Sequence, residues 1–290
     1  MDTATAPALK AKDYKSDIKP IWCPGCGDFG VLASLQKALL TLDIAPENIV
    51  TISGIGCSGR LSHFLNTYSL HGTHGRAVPT ALGAKTANPD LTVFAVGGDG
   101  DGLGIGGGHI AHVARKNVDM TYILIDNRIY GLTKGQTSPT SPLGQKTKTS
   151  PYGVFEDALS AIPIFLAYDV SFIARANGLD TKALSQIFIE AVNHKGLSIV
   201  YIFSPCKTFP LLDSKGLKAI LQPLPEDHPR DNKLKALEMA YCDNPMYTGI
   251  FYQVKKPTLE ERLQGVIKQV CDKENGGETY SLQKVLHSFA

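Results

Sequence analysis

The stretch from Val93 to Ile129 constrains this chain more than any other. It opens on Val-Phe-Ala-Val-Gly-Gly-Asp-Gly-Asp at 93–101 and closes on Tyr-Ile-Leu-Ile-Asp-Asn-Arg-Ile at 122–129. Each half is an apolar run that stops at glycine or polar residues, the pattern of a strand buried on both faces of a parallel sheet. Gly102 to Lys116 is long enough for a crossover helix, with Ile105, Ile110, Ala111, Val113 and Ala114 as its apolar or small positions. Strand, helix, strand is a βαβ unit with a right-handed crossover. Asp99 and Asn127 then fall just past the carboxyl ends of two strands of one sheet. That rim is where open α/β sheets bind ligands. The expected fold is α/β, a mostly parallel sheet flanked by helices.

The residues on that rim have a definite chemistry. Gly98 and Gly100 carry no Cβ, so a diphosphate can approach the backbone. Asp99 offers a carboxylate and Asn127 an amide oxygen, both hard ligands suited to Mg²⁺. The competing reading is a glycine-rich turn with a capping aspartate.

The rest of the chain punctuates itself. Residues 1–20 read as a polar arm. Asp28 is placed to cap a helix over about 29–42, and Ile49 to Ser53 reads as a short strand. It stops at the glycine-rich turn Gly54-Ile55-Gly56-Cys57-Ser58-Gly59-Arg60. A polar loop over 71–77 leads to a small-residue helix over 79–87. Tyr130 to Tyr152 lacks periodicity, and a loop that long inside a domain is usually functional. Helices are expected over 156–167 and 181–194, and strands over 171–174 and 198–203. Beyond about residue 225 the chain turns charged and proline-rich. Residues 1–225 are therefore read as one α/β domain and 226–290 as a mostly surface extension. In it, the apolar Ile250-Phe251-Tyr252 would dock on the domain or on a partner.

Composition excludes more than it assigns. A formal charge of +2 and no basic run with interleaved aromatics give nucleic acid no support. No apolar stretch of membrane-spanning length and no signal peptide are present, so the expectation is a soluble cytoplasmic protein. Six cysteines in 290 residues are too few for a disulfide scaffold; clustered cysteines in a reducing compartment more often mean metal or redox chemistry. Cys23-Pro-Gly-Cys26 forms a tight loop, while Cys57 and Cys206, like Asp99 and Asn127, follow expected strand ends. Four soft ligands on one rim suit Zn²⁺ or an iron–sulfur cluster; a redox dithiol or buried core thiols are the competing readings. Cys242 and Cys271 read as incidental thiols.

Taken together, Trp-Cys-Pro-Gly-Cys-Gly at 22–27, Gly-Ile-Gly-Cys-Ser-Gly-Arg at 54–60, His-Gly-Arg-Ala at 74–77, Gly-Gly-Asp-Gly-Asp at 97–101 and Asn-x-x-Tyr-Gly-Leu-Thr-Lys-Gly-Gln at 127–136 resemble the β subunits of 2-oxoacid:ferredoxin oxidoreductases. The likeness runs over about residues 15–255 and implies a thiamine-diphosphate-binding fold. It implies that Cys23, Cys26, Cys57 and Cys206 hold one [4Fe–4S] cluster, and that Asp99, Asn127 and the Ile129 carbonyl hold Mg²⁺. Gly25, Cys26, Gly56, Ser58, His74, Gly98, Asp99, Gly100, Asp101, Asn127, Ile129, Gly131, Leu132 and Thr133 would surround the thiamine cofactor. Thr133, Lys134 and Gln136 fall in its loop. An α subunit would complete the site and supply the glutamate that activates the cofactor, in an (αβ)₂ assembly with coenzyme A, a 2-oxoacid and ferredoxin as reaction partners.

Arg60 and His74 are the substrate-facing candidates for catalysis. A guanidinium grips a carboxylate through paired hydrogen bonds, so Arg60 would suit the distal carboxylate of 2-oxoglutarate. Its competing role is a surface ion pair. Arg76 would meet substrate or tie its loop. The reaction implied is reversible oxidative decarboxylation of 2-oxoglutarate to succinyl-CoA. Alternatives are the same chemistry on pyruvate or on 2-oxoacids broadly, a non-redox thiamine-dependent decarboxylase subunit with zinc at the cysteines, and an electron-transfer module without thiamine.

Overall fold

A computed structural model describes residues 9–211 and 214–273. The arm at 1–8 and the end of the extension at 274–290 lie outside the described residues, as does the side chain of Cys271. The apolar runs form strands. Helix α1 (Asp28–Leu42) precedes β1 (Ile49–Ser53), β2 (Tyr68–His71), α2 (Ala77–Ala87), β3 (Thr92–Gly98), α3 (Gly107–Lys116) and β4 (Met120–Asp126). A small hairpin, β5 (Ile129–Tyr130) and β6 (Gln136–Thr137), stands apart. Then come α4 (Ala161–Ala167), β7 (Phe172–Asn177), α5 (Thr181–Asn193), β8 (Leu197–Phe203), α6 (Ser214–Ile220), β9 (Leu221–Pro223), α7 (Lys233–Ala240), β10 (Met246–Gln253) and α8 (Leu259–Lys273).

Eight strands make one sheet in the order β2-β1-β3-β4-β8-β7-β10-β9. It is parallel from β2 to β7, and β10 joins β7 antiparallel. Every residue of β4 and β8 is buried, as unbroken apolar strands between two helical layers must be. Alternate residues serve opposite faces. Phe94, Val96, Ile123 and Ile125 pack with α1 and α5, while Val93, Ala95, Tyr122 and Leu124 pack with α2, α3, α4 and α7. The register pairs Ser53 with Val96, Gly98 with Ile125 and Asp126 with Phe203. The carboxyl ends of β1, β3, β4 and β8 therefore stand side by side, as the sequence predicts.

Three expectations need correction. The crossover helix begins at Gly107, because the glycine-rich run after Asp99 first makes a π-type turn over Gly100–Ile105; Ile105 is exposed, not core. Asp28 lies inside α1 and makes no cap; its carboxylate turns inward and is 1% exposed. Helix α4 starts at Ala161, which places Pro163 in the first turn, where no helical N–H partner is lost. Beyond residue 225 most described residues are at least partly exposed, and the Ile250-Phe251-Tyr252 patch docks on the domain, as expected. Strand β10 extends the main sheet, and Phe251 and Tyr252 are buried with Ala236 and Ala240. Fully burying one such large side chain is worth about 1.5–3 kcal/mol. Asn117 also ties this segment down, its Nδ2 donating to the Lys256 carbonyl at 3.1 Å. Sequence reading missed β2, whose four residues are all exposed at the sheet edge.

Candidate functional site

The carboxyl ends of β1, β3 and β4, with the hairpin β5–β6, enclose a cleft of about 200 Å³. Gly56, Ser58, His74, Gly98, Asp99, Gly100, Asp101, Asn127, Ile129, Gly131, Leu132 and Thr133 all line it, together with Cys57. Ile55 and Tyr130 line it as well and were not foreseen; nothing in their residue types marks them. Gly25, Cys26, Arg60 and Arg76 lie outside its wall.

The glycines act through protein packing as well as ligand access. A Cβ on Gly100 would stand 2.2 Å from the Tyr130 ring, and one on Gly98 would stand 2.9 Å from Ser58 Oγ. Tyr130 in turn donates its hydroxyl to the Gly100 carbonyl at 3.0 Å. The Gly-Asp-Gly turn is thus locked to the hairpin across the cleft.

Asp101 assembles the walls. It is 3% exposed, and its Oδ1 accepts from Ile55 N at 2.9 Å, Gly75 N at 2.8 Å and His74 Nδ1 at 2.7 Å. One carboxylate oxygen therefore gathers the loop after β1, the loop before α2 and the turn after β3. An ionised carboxylate only accepts, so His74 carries its proton on Nδ1. That leaves Nε2 as the ring nitrogen available to a ligand in the cleft.

Asp99 is equally buried but differently met. Its Oδ2 accepts from Thr140 Oγ1 at 2.9 Å, and the same hydroxyl lies 2.8 Å from Asp126 Oδ1. A hydroxyl has one proton and donates to one of them at a time. Asp126 has further donors in Arg128 N at 2.7 Å and the Tyr201 hydroxyl. Burial, then the charge of Asp126, push Asp99 well above the usual carboxylate range. Two carboxylates sharing one donor favour a proton or a cation between protein and cleft. Beside Asp99, the Asn127 carboxamide accepts from Ile129 N at 3.1 Å, and the Ile129 carbonyl accepts from Gly131 N at 2.9 Å with a lone pair to spare. A carboxylate, an amide oxygen and a peptide carbonyl make a hard oxygen set that fits Mg²⁺ and, through it, a diphosphate. Thr140, from the loop after the hairpin, has no motif to announce it.

The four cysteines of the sequence reading are drawn to the same end of the sheet. All are free thiols. A Cβ on Gly131 would lie 3.5 Å from Cys206 Sγ and 3.9 Å from Cys57 Sγ, and both Gly131 and Cys57 line the cleft. The Cys23–Cys26 loop is tied to this place twice: Trp22 Nε1 donates to the Cys57 carbonyl at 2.7 Å, and Gly27 N to the Pro205 carbonyl at 3.3 Å. Thr208 Oγ1 reaches Cys23 Sγ at 3.2 Å. Among the described residues no group of three or more His, Cys, Asp or Glu side chains is disposed around one metal ion. Burial and the charge of Asp28 push Cys57 up to about 11 and raise Cys26 as well. A redox dithiol needs the opposite shift. Raised values are those of buried, inert thiols, and only a bound cation would turn the set into thiolates. Asp28 itself is pushed up to about 6, first by burial; Ser204 Oγ donates to its Oδ1 at 2.5 Å, and Oδ2 is buried without a partner among the described residues.

The basic candidates separate. Arg60 is half-buried in the 3₁₀ turn after Cys57, makes no ion pair among the described residues, and its charge is felt by the Cys57 thiol and by His71. Arg76 ties its loop, donating to the Gly75 carbonyl at 3.2 Å and the Ile105 carbonyl at 3.4 Å. Thr133 and Gln136 bond each other at 2.6 Å, and Lys134 is exposed.

Comparison with known proteins points to one family. Residues 54–202 match the family model for the C-terminal TPP-binding domain of thiamine pyrophosphate enzymes, and residues 216–268 that for the C-terminal part of the pyruvate ferredoxin oxidoreductase β subunit. The chain is 39% identical over 264 residues to the β subunit of 2-oxoacid:ferredoxin oxidoreductase 1 from Aeropyrum pernix, covering 86% of this chain and 83% of that one. It is 36% identical over 271 residues to the 2-oxoglutarate synthase subunit KorB of Archaeoglobus fulgidus, covering 91% and 97%. The solved structure of the 2-oxoglutarate:ferredoxin oxidoreductase from Magnetococcus marinus, with 2-oxoglutarate, coenzyme A and succinyl-CoA bound, superposes with a TM-score of 0.92 at 39% identity, covering 99% of this chain and 98% of that chain.

Proposed function

The chain belongs to the β subunits of the 2-oxoacid:ferredoxin oxidoreductases, and from that premise we propose that it serves the reversible, coenzyme A-dependent oxidative decarboxylation of 2-oxoglutarate to succinyl-CoA. As a β subunit it works with an α subunit, and ferredoxin takes the electrons. The observation that carries the reading is the shared wall: Gly131 and Cys57 line the cleft beside Asp99 and Asn127, and the thiols of Cys57 and Cys206 both face Gly131.

Bound thiamine diphosphate supplies the electron sink for decarboxylation, and a [4Fe–4S] cluster accepts electrons singly. This chain's residues hold and orient. Asp99, Asn127 and the Ile129 carbonyl hold Mg²⁺, with Thr140 fixing the Asp99 carboxylate. Cys23, Cys26, Cys57 and Cys206 hold the cluster. Asp101 fixes His74 so that Nε2 meets substrate. Arg60 meets the distal carboxylate; a half-buried guanidinium with no ion pair among the described residues supports that role over a surface salt bridge. The cofactor-bearing unit runs from residue 9 to about residue 225 and takes in β10, and the activating glutamate comes from the α subunit.

The test is anaerobic turnover of the co-expressed α and β chains with coenzyme A, comparing 2-oxoglutarate with pyruvate through reduction of a viologen dye. We expect preference for 2-oxoglutarate, and Arg60→Ala to raise its KM about tenfold more than that of pyruvate. Preference for pyruvate would keep the family and overturn the substrate. Turnover that reduces no acceptor would move the reading to a non-redox decarboxylase.

A further inference from the structure

A second cavity, of about 390 Å³, lies beyond the Asp99–Thr140–Asp126 chain and shares no lining residue with the cleft. Two guanidinium groups line it. Arg175 rises from the middle of β7 and is only 5% exposed. Its guanidinium stacks 4.8 Å from the Phe251 ring centre, and its Nε donates to the Tyr247 carbonyl at 2.6 Å. Its Nη2 is buried and meets no acceptor among the described residues. Arg128 reaches the same cavity from the turn after β4. That turn is held in the left-handed region, φ 62°, by the bond from Arg128 N to Asp126, and the guanidinium lies 5.5 Å from the Phe203 ring centre.

The acidic neighbours do not answer these charges. Asp126 accepts from Tyr201 and Arg128 N, shares Thr140 with Asp99, and forms no ion pair with either arginine among the described residues. Asp243 is exposed and forms no ion pair with either arginine among the described residues. Burial pushes Arg175 down to about 10, and the charge of Arg128 acts in the same direction, against Tyr201, Asp243 and Cys242. Two like charges in one cavity, one carrying an unmet buried donor, are costly unless an anion joins them. Guanidinium recognises planar carboxylate and tetrahedral phosphate alike.

We propose that this cavity binds a small oxyanion, the carboxylate or phosphate group of a small molecule, between Arg128 and Arg175. The site is separate from the thiamine cleft and does not depend on which 2-oxoacid is the substrate. Strands β4, β7 and β8 and helices of this same chain surround it, which favours a diffusible ligand over a segment of the α subunit.

The experiment is calorimetric titration of the α–β complex, saturated with thiamine diphosphate and Mg²⁺, with inorganic phosphate and separately with succinate. We expect one saturable site per β chain for at least one of the two; which anion binds tells phosphate from carboxylate. Arg128→Gln and Arg175→Gln should each weaken it at least tenfold, about 1.4 kcal/mol. Arg128 is the less buried, so its variant carries the test if Arg175→Gln does not fold. Saturable binding of neither anion, or an affinity unchanged in a folded variant, would overturn the proposal. Loss of binding only in the complex, with the β chain alone still binding, would overturn it in favour of an α-subunit side chain.

Discussion

Asp99 and Asp101 stand two residues apart on one turn, and both are 3% exposed. Their surroundings divide their roles. Asp101 is met by two peptide N–H groups and an imidazole on one oxygen. Asp99 faces the cleft and is met by Ser138, Gly100 N and Thr140, the last shared with a second carboxylate. A carboxylate fully answered by backbone donors is a fastener. One buried beside a second carboxylate and other oxygen atoms is where we propose that a cation binds. The contrast explains how a single glycine-rich turn both builds the cleft and equips it.

Breaking the fastener should cost most. Asp101→Ala leaves two buried peptide donors and His74 Nδ1 without an acceptor, and should destabilise the chain by about 3–5 kcal/mol and abolish turnover. Urea unfolding of variant and parent measures it; a loss no larger than that of Asp99→Asn would break the comparison.

A third buried carboxylate sharpens it at the cysteine end. Asp28 is pushed up to about 6 from an ordinary value of 3.8. A raised folded value means the folded chain holds the proton more tightly. Its contribution to stability is therefore complete below about pH 4 and is lost as pH rises through about 6, an effect of about 3 kcal/mol. Asp28→Asn should flatten that dependence in cluster-free chain and raise stability at pH 7.5. Unfolding midpoints at pH 4 and pH 7.5 decide it; parallel curves for variant and parent would contradict the assignment.

Asp99→Asn should leave the cofactor-free chain as stable as the parent, or more so, while weakening Mg²⁺-dependent binding of thiamine diphosphate about a hundredfold, or about 2.7 kcal/mol. Fluorescence titration with Mg²⁺ reads it. Thr140→Val is the mildest change. Losing an outer partner of a metal ligand costs about tenfold in affinity, and Thr140→Ser should restore it. A Thr140→Val variant with unchanged Mg²⁺ affinity would remove Thr140 from the account.

Much of this was readable in the chain. Strand ends at Ser53, Gly98, Asp126 and Phe203 follow from apolar runs that stop sharply, and one parallel sheet must bring such ends to one edge. That reasoning places Asp99, Asn127, Cys57 and Cys206 together before any coordinates. What escaped has physical reasons. Thr140 acts across the long loop after β6, where no period constrains position. Asp28 has the type and place of a helix cap, and only tertiary packing turns it inward. Strand β10 is short of apolar residues at its start and follows prolines, so Ile250-Phe251-Tyr252 reads as a docking patch while its pairing with β7 does not show. Asp101 looks like a second copy of Asp99, and the two are told apart solely by their donors.

The most direct test of the central claim, that cofactor and cluster share one rim of this chain, is electron paramagnetic resonance of the anaerobic α–β complex after addition of 2-oxoglutarate and coenzyme A. The account predicts the signal of a reduced [4Fe–4S] cluster that appears with thiamine diphosphate and Mg²⁺, fails without them, and is lost in Cys57→Ser. A complex that turns over 2-oxoacid yet contains no iron, or whose cluster stays oxidised throughout turnover, would contradict it.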